Sequence, residues 1–398
     1  MSKHLADYNS RPIEIVSGEG CFLVDNQGKK YLDFTAGWCV GNIGWRQTEV
    51  GEAIKREAEA GRYAPAFLRF ANQEKFAKRL TAIAPNKKIS RAFRCTSGSE
   101  AVEFAIKCAR AATGKTKIVS IDGVYHGHTY GAAAVGDACR RMAPCAPGFV
   151  KLALPRNADE GRAVVRQFEK ILAEFSDVAA FLSEPVWTNA GAIVPPSDFY
   201  PAIHKLCKKY GALLIMDEVA TGFGRCGKLF ASELWGVEPD IVCLGKGLTG
   251  GYATLGATLV TEDIFVKSRG IPAYSTFGWA PLDLAAAMAN TEIILREKLW
   301  NNAQSVGDYL LKKLKVLETR SYVGEARGIG LLIGIEIVSD KISRTPDFAR
   351  AVRLQNACAE AGLLIETAGN ALFITPPLIL STELADQGAK ILLEVLTI

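Results

Sequence analysis

The chain has 398 residues, enough for one large domain and a smaller companion. Hydrophobic residues make up 49% and charged residues 22%, the balance of an ordinary soluble globular protein. The net charge of +5, from 47 basic and 42 acidic residues with no long run of one sign, argues against nucleic acid as a partner.

The opening segment, Met1 to Arg11, is polar and mixed in charge and does not read as a signal peptide. No run of roughly 18 apolar residues follows, so no membrane span is expected. The 10 cysteines are scattered from Cys21 to Cys358 without a Cys-x-x-Cys pair. In a chain of this length they read as reduced thiols in a cytoplasmic protein. Strand-like runs at Ile13 to Val16, Cys21 to Val24 and Lys30 to Phe34, broken by glycine- and asparagine-containing turns, predict a small antiparallel sheet. From about Glu74 helical stretches alternate with short apolar runs: Ile118 to Ile121, Val178 to Ser183, Leu213 to Met216, Ile241 to Leu244 and Gly256 to Val260. Continuous apolar runs between helices predict an α/β fold whose mostly parallel sheet is covered on both faces. The tail adds a helix after Leu295, a strand at Gly330 to Val338, a helix from about Asp347 to Ala361 and a closing helix from about Glu383. The expected organisation is a large domain over 66–297 and a smaller α+β domain split between 1–65 and 298–398.

In open α/β sheets the ligand crevice lies beyond the carboxyl ends of the strands, so the polar residues there carry the argument. Asp217 ends the apolar run Leu213 to Met216. It is either a turn or helix-capping aspartate, or an acid that keeps a pyridinium nitrogen protonated. Lys246 follows Ile241 to Leu244 and lies between Gly245 and Gly247. A lysine desolvated in that position is an amine nucleophile. One acid and one lysine at neighbouring strand ends match what pyridoxal phosphate needs. Thr96-Ser97-Gly98-Ser99-Glu100 precedes a helix over Ala101 to Arg110. Ser97 and Glu100 have capping-box spacing, so this is either a well-capped helix or, through its backbone N–H groups and hydroxyls, a phosphate site. Tyr125 can stack on a pyridine face, and Val219, two residues past Asp217, can cover the other. His126 and His128 lack a carboxylate or cysteine at ligand spacing, so no metal is expected. The glycines from Gly328 to Gly334 lack dinucleotide-loop spacing, and Gly245-Lys246 is not part of a P-loop.

Taken together, these residues resemble the class III aminotransferases, pyridoxal-phosphate enzymes of fold type I. The resemblance spans nearly the whole chain. It is carried by Met216-Asp217-Glu218-Val219-Ala220-Thr221-Gly222-Phe223-Gly224-Arg225, by Pro239-Asp240-Ile241 and by Gly245-Lys246-Gly247-Leu248-Thr249-Gly250-Gly251. Ser97 to Ala101, Tyr125-His126-Gly127, Glu184-Pro185-Val186, Ser275-Thr276-Phe277 and Arg327 to Gly330 fall in family order. The resemblance implies that Lys246 holds the cofactor as a Schiff base and shuttles the proton, and that Asp217 pairs with the ring nitrogen. It implies that Gly98 and Ser99 bind the phosphate, with Thr276 supplied by the partner of a homodimer with shared sites. Tyr125 and Val219 would sandwich the ring, His126 would support the site near Asp217, and Glu184 would lie near the phenolic side. It implies a small-molecule amino donor and a carbonyl acceptor, converted in a ping-pong transamination. A racemase or aminomutase on the same scaffold is the second reading, and a cofactor-binding protein without turnover the remote third.

Four departures from the family pattern bear on the substrate. Ala220 stands where many members have Gln, Thr188-Asn189-Ala190-Gly191 replaces an acidic glycine-rich turn, and Phe373 stands where an arginine usually clamps a carboxylate. Glu366 occupies the second position where a base is expected. An uncompensated Glu366 would attract an ammonium group, so the expected amino substrate has a polar cation, or no carboxylate, at its far end. Trp38, Tyr63 and Trp187 are the expected aromatic wall. The competing expectation leaves Glu366 in solvent and assigns the clamp to Arg69.

Overall fold

A computed structural model describes residues 11–397, except 64, 66, 142 and 143. The segment read as lacking a signal peptide lies, but for Arg11, outside the described residues. Three sheets organise the chain. Ile15–Glu19 (β1), Phe22–Asp25 (β2) and Lys30–Asp33 (β3) form the expected antiparallel meander. Asp25 closes the β2–β3 turn, its Oδ1 accepting from the N–H groups of Gln27 and Lys29 at 2.9 Å each.

The central sheet contains Ile89–Cys95 (β4), Lys117–Ile121 (β5), Phe149–Leu152 (β6), Val178–Ser183 (β7), Leu213–Asp217 (β8), Ile241–Leu244 (β9) and Gly256–Thr261 (β10). Their order is β4-β10-β9-β8-β7-β5-β6. β10 is antiparallel to both neighbours and the other pairings are parallel, as expected of a mostly parallel sheet. Successive side chains part to opposite faces. Val119, Phe181, Leu214 and Met216 meet the helices Ala158–Glu174 and Phe199–Tyr210, whereas Ile118, Ala180, Leu182 and Ile215 meet the helix Gly98–Thr113. Covering both faces is what makes these strands continuously apolar in sequence. A single truncation such as Phe181→Ala would cost about 3–5 kcal/mol, because the residue is fully enclosed. β6 escaped the pattern because it is an edge strand with a lysine inside it. Lys151 Nζ donates to the carbonyls of Val135 and Gly136.

The third sheet corrects one expectation. The strand predicted at Gly330 to Val338 is the second arm of a hairpin, Val323–Ile329 (β11) and Leu332–Asp340 (β12), with Gly330 and Leu331 in the turn. Thr345–Pro346 (β13) pairs with β12. Leu363–Leu364 (β14) pairs in parallel with β3, so the first and last parts of the chain meet in one sheet. Glu366–Ala368 (β15) and Ala371–Ile374 (β16) complete the third sheet against β12. The tail helices fall at Leu299–Leu314, Phe348–Glu360 and Thr382–Val395, near their predicted places. Among the described residues no helix is long and apolar enough to cross a membrane, and the cysteines form no disulfide.

The six strands other than β10 share one direction. β4, β5, β7, β8 and β9 therefore deliver Thr96, Asp122, Glu184, Asp217 and Gly245 to a single edge.

Candidate active site

Asp217 and Lys246 arrive on adjacent parallel strands. Asp217 is 3% exposed, and its two oxygens do different things. Oδ1 accepts from the Val219 N–H at 3.1 Å, an Asx-type turn, and Oδ2 accepts from Nδ1 of buried His126 at 2.6 Å. The turn reading of Asp217 is thus met by Oδ1, while His126 holds Oδ2. Nε2 of His126 is buried without a partner. Lys246 is half-buried at φ +42, a left-handed conformation that residues with a side chain seldom adopt and that tends to persist at functional sites.

The loop after β4 runs into the helix Gly98–Thr113. Ser97 Oγ accepts from the Glu100 N–H at 3.1 Å, as the spacing predicts. The reciprocal arm differs: the Glu100 carboxylate takes the N–H and hydroxyl of Thr96, at 2.6 and 2.8 Å, instead of the Ser97 N–H. The first N–H groups of the helix, at Gly98 and Ser99, have no intrahelical acceptor and suit an anion. Glycine at 98 is required by close approach, since a Cβ there would stand 2.7 Å from Val219 Cγ1. Gly127, at φ +131, does the same for the next loop, where a Cβ would fall 2.4 Å from Ser99 Oγ.

Tyr125 is half-buried, and its hydroxyl is 2.6 Å from Nδ1 of His128. Burial and the nearby Asp217 charge push its phenol pKa up. Glu184 is 3% exposed. Its carboxyl is pushed up to about 8, first by burial and second by the Asp217 charge. Gly98, Ser99, Tyr125, His126, Glu184, Asp217, Val219 and Lys246 all line one cavity of about 140 Å³. The sequence-predicted residues therefore converge, with the exception of Thr276. That residue is exposed outside this cavity, its carbonyl accepting from the Tyr63 hydroxyl at 2.5 Å.

These residues fit pyridoxal phosphate. The cavity offers a helix N-terminus for a phosphate, a buried carboxylate for a ring nitrogen, an aromatic and an aliphatic side chain for two ring faces, and an amine. Two buried polar atoms around it, His126 Nε2 and Glu184 Oε2, have no partner in the chain.

The substrate-pocket expectations fare less well. Trp187 is fully buried under the sheet, edge-on to Phe199 with ring centroids 5.5 Å apart, and its Nε1 donates to Ser183 Oγ at 3.0 Å. It is a core residue and no wall of the pocket. Packing against Phe199 and the bridge from Trp187 to Ile193 hold it inward beyond the end of β7. Glu366 is compensated: Arg11 lies 2.7 Å from Oε1, and Gln355 donates to Oε2 at 2.9 Å. The expected attraction of an ammonium group therefore loses its basis. Arg69 lines a different cavity, with Arg94 and Trp279. Asn189 is half-buried in the turn beyond Thr188. Tyr63 packs on Phe277, ring centroids 6.1 Å apart, beside Thr276. Trp38 stacks on buried Phe373 at 5.0 Å. Phe373 shares a cluster with Ala220, which does line the cavity.

Two contributors escaped the sequence reading. Asp33 is fully buried and accepts from the N–H groups of Thr35 and Ala36, the Thr35 hydroxyl and Trp45 Nε1. It holds the turn Ala36 to Cys39, in which all four residues have positive φ, a costly left-handed arrangement that carries Trp38 to Phe373. Thr188, noticed only as a departure, hydrogen-bonds Glu184 Oε1. An aspartate at a strand end followed two residues later by threonine was the available signal for the first.

The family model described as aminotransferase class-III matches residues 5–396. An acetylornithine aminotransferase of Methanothermobacter thermautotrophicus is 35% identical over 97% of this chain and 94% of its own. A solved amine transaminase from an uncultivated Pseudomonas species, in its PLP-bound form, superposes with a TM-score of 0.94 at 33% identity, covering 100% of this chain and 97% of that one. An (S)-enantioselective omega-transaminase from Thermomicrobium roseum gives 0.93 at 34% identity, covering 99% and 96%.

Proposed function

The chain belongs to the class III aminotransferases, pyridoxal-phosphate-dependent transaminases of fold type I, and we propose that Lys246 and Asp217 are its catalytic residues and that its preferred amino donor is a primary amine with an apolar far end. The observation that carries the assignment is the convergence of Lys246 and Asp217, from adjacent strand ends, on one cavity floored by a helix N-terminus.

Bound pyridoxal phosphate supplies an electron sink for the pair released when a substrate Cα–H bond breaks. The chain's own groups do the rest. Lys246 Nζ would anchor the cofactor and, once released, shuttle the proton between the substrate Cα and the cofactor's C4′ carbon. Asp217 would keep a proton at the ring nitrogen, its carboxylate held in place by the N–H of His126 on Oδ2 and the N–H of Val219 on Oδ1. The N–H groups of Gly98 and Ser99 bind the phosphate, helped by the helix dipole. Tyr125 and Val219 restrict the ring between them.

Phe373 and Trp38 support the donor preference. Where a carboxylate clamp would need a guanidinium, the chain has an aromatic pair, half-buried Trp38 against buried Phe373, and Glu366 is already neutralised by Arg11. The amine transaminase and omega-transaminase neighbours agree with that choice. A homodimer is the proposed active unit. Tyr63, Tyr274 and Phe277 are 47%, 72% and 64% exposed around Thr276, an apolar patch of the kind that protein interfaces cover. The reduced cysteines support a cytoplasmic location.

The test is a half-reaction screen. Enzyme reconstituted with pyridoxal phosphate is mixed with glutamate, alanine, arylalkylamines and diamines, and loss of the visible band of the bound cofactor is timed. Arylalkylamines are expected to react fastest, and a ranking led by glutamate would refute the donor assignment.

A further inference from the structure

Glu184 stands directly beyond β7, beside the strand that ends in Asp217. Its backbone is pinned from below, the carbonyl accepting from the hydroxyl of fully buried Tyr200. Its side chain lines the cavity, with the two carboxyl oxygens in unequal surroundings. Oε1 accepts from the Thr188 hydroxyl, four residues on, and Oε2 is buried without a partner. Leaving a buried polar atom unpaired is costly, more so for a charged group, so native structures seldom keep one without a use. Ala220 lines the same cavity and presents only a methyl group.

We propose that Thr188 is a positioning residue: by occupying Oε1 of Glu184 it leaves the carboxyl proton on Oε2, which then donates a hydrogen bond to the phenolic oxygen of the bound cofactor. The inference rests on the pyridoxal-phosphate reading above. While the Thr188 hydroxyl donates to Oε1, the proton of a neutral carboxyl belongs on Oε2, the oxygen that has no other partner in the chain. Burial and the Asp217 charge favour the neutral carboxyl at pH 7, since they place its pKa at about 8. Asp217 and Lys246 are the charged groups that face it across the cavity.

The measurement is a spectroscopic pH titration of the reconstituted holoenzyme, following the pH midpoint at which the visible band of the bound cofactor changes. A donor on the phenolic oxygen draws electron density from the ring and lowers that midpoint. Glu184→Ala and Thr188→Val are expected to raise it by about half a pH unit or more, the size of effect a lost hydrogen bond has on a titrating group. Thr188→Ser, which restores the hydroxyl, and Glu184→Gln, which offers a neutral N–H donor, are expected to keep it close to wild type. An equal shift in Glu184→Gln and Glu184→Ala would show that an ionised carboxylate is what matters, and would overturn the proposal. So would an unmoved midpoint in Thr188→Val. If Thr188→Val does not fold, the contrast of Glu184→Ala with Glu184→Gln still decides the donor, and Thr188→Ala with Thr188→Ser decides the role of the hydroxyl. A wild-type protein that takes up no pyridoxal phosphate would overturn the cofactor reading and this inference together, whereas a bound cofactor with identical midpoints in all variants overturns this inference alone.

Discussion

Nδ1 of His126 stands 2.6 Å from Oδ2 of Asp217, and the two side chains are 2% and 3% exposed. A buried carboxylate would otherwise meet a severe desolvation cost, and here one oxygen is held by the imidazole and the other by the Val219 N–H. Asp217 is thereby fixed in the cavity, in the place proposed for the partner of the ring nitrogen. Asp217→Asn should keep the fold, as judged by circular dichroism, and lose roughly 10²–10⁴-fold in turnover, the range that a positioned proton-holding group supplies. A loss below about tenfold would leave Asp217 with a structural role only.

Lys246 is the proposed attachment point. Lys246→Ala should still take up pyridoxal phosphate loosely, yet borohydride treatment followed by denaturation should release all of it. Cofactor remaining covalently fixed in that variant, detected by mass spectrometry, would place the attachment at another amine.

Glu184 makes the stability of the cofactor-free protein depend on pH. Its carboxyl is raised from an ordinary 4.5 to about 8, so between those values the folded state holds a proton that the unfolded state has lost. Stability from this group is therefore highest below pH 4.5 and declines as pH rises towards 8. Glu184→Gln lacks the titration, so its Tm should gain on the wild type as pH is raised through that window. A Tm difference independent of pH would contradict the raised carboxyl.

The patch around Thr276 predicts shared sites. Lys246→Ala and Thr276→Ala should each be inactive or nearly so, and mixing them under conditions of subunit exchange should restore part of the activity through hybrid dimers. A fully active monomer at sedimentation equilibrium would rule this arrangement out.

Glu366 should be irrelevant to donor choice. Its side chain is 29% exposed and paired with Arg11, 22% exposed, so Glu366→Ala should cost about 1 kcal/mol of stability and leave the ranking of amines unchanged. Phe373→Arg, by contrast, should raise kcat/KM for glutamate relative to arylalkylamines. A reordered ranking in Glu366→Ala would return that carboxylate to the substrate site.

The residues readable from sequence share one property: their placement follows from the chain on either side of them. Asp217 and Lys246 sit where short continuous apolar runs between helices stop, and such runs read as strands covered on both faces, so the residue after each emerges at the sheet edge. Glycine at 98 and the serine at 97 likewise announce a tight helix start. The parallel arrangement then brings Gly98, Tyr125, Glu184, Asp217 and Lys246 together without any further specification. What tertiary structure alone decided were the side chains whose surroundings come from distant parts of the chain. Trp187 is aromatic and close in sequence to Glu184, but packing against Phe199 turns it into the core. Glu366 reads as an unpaired acid until Arg11, at the other end of the chain, neutralises it. Trp38 reaches Phe373 only because Asp33 holds a left-handed turn. Hydrophobic periodicity fixes which way a strand faces, since it acts over a few residues; the partner of a polar or aromatic side chain is fixed by long-range packing, which no local pattern encodes.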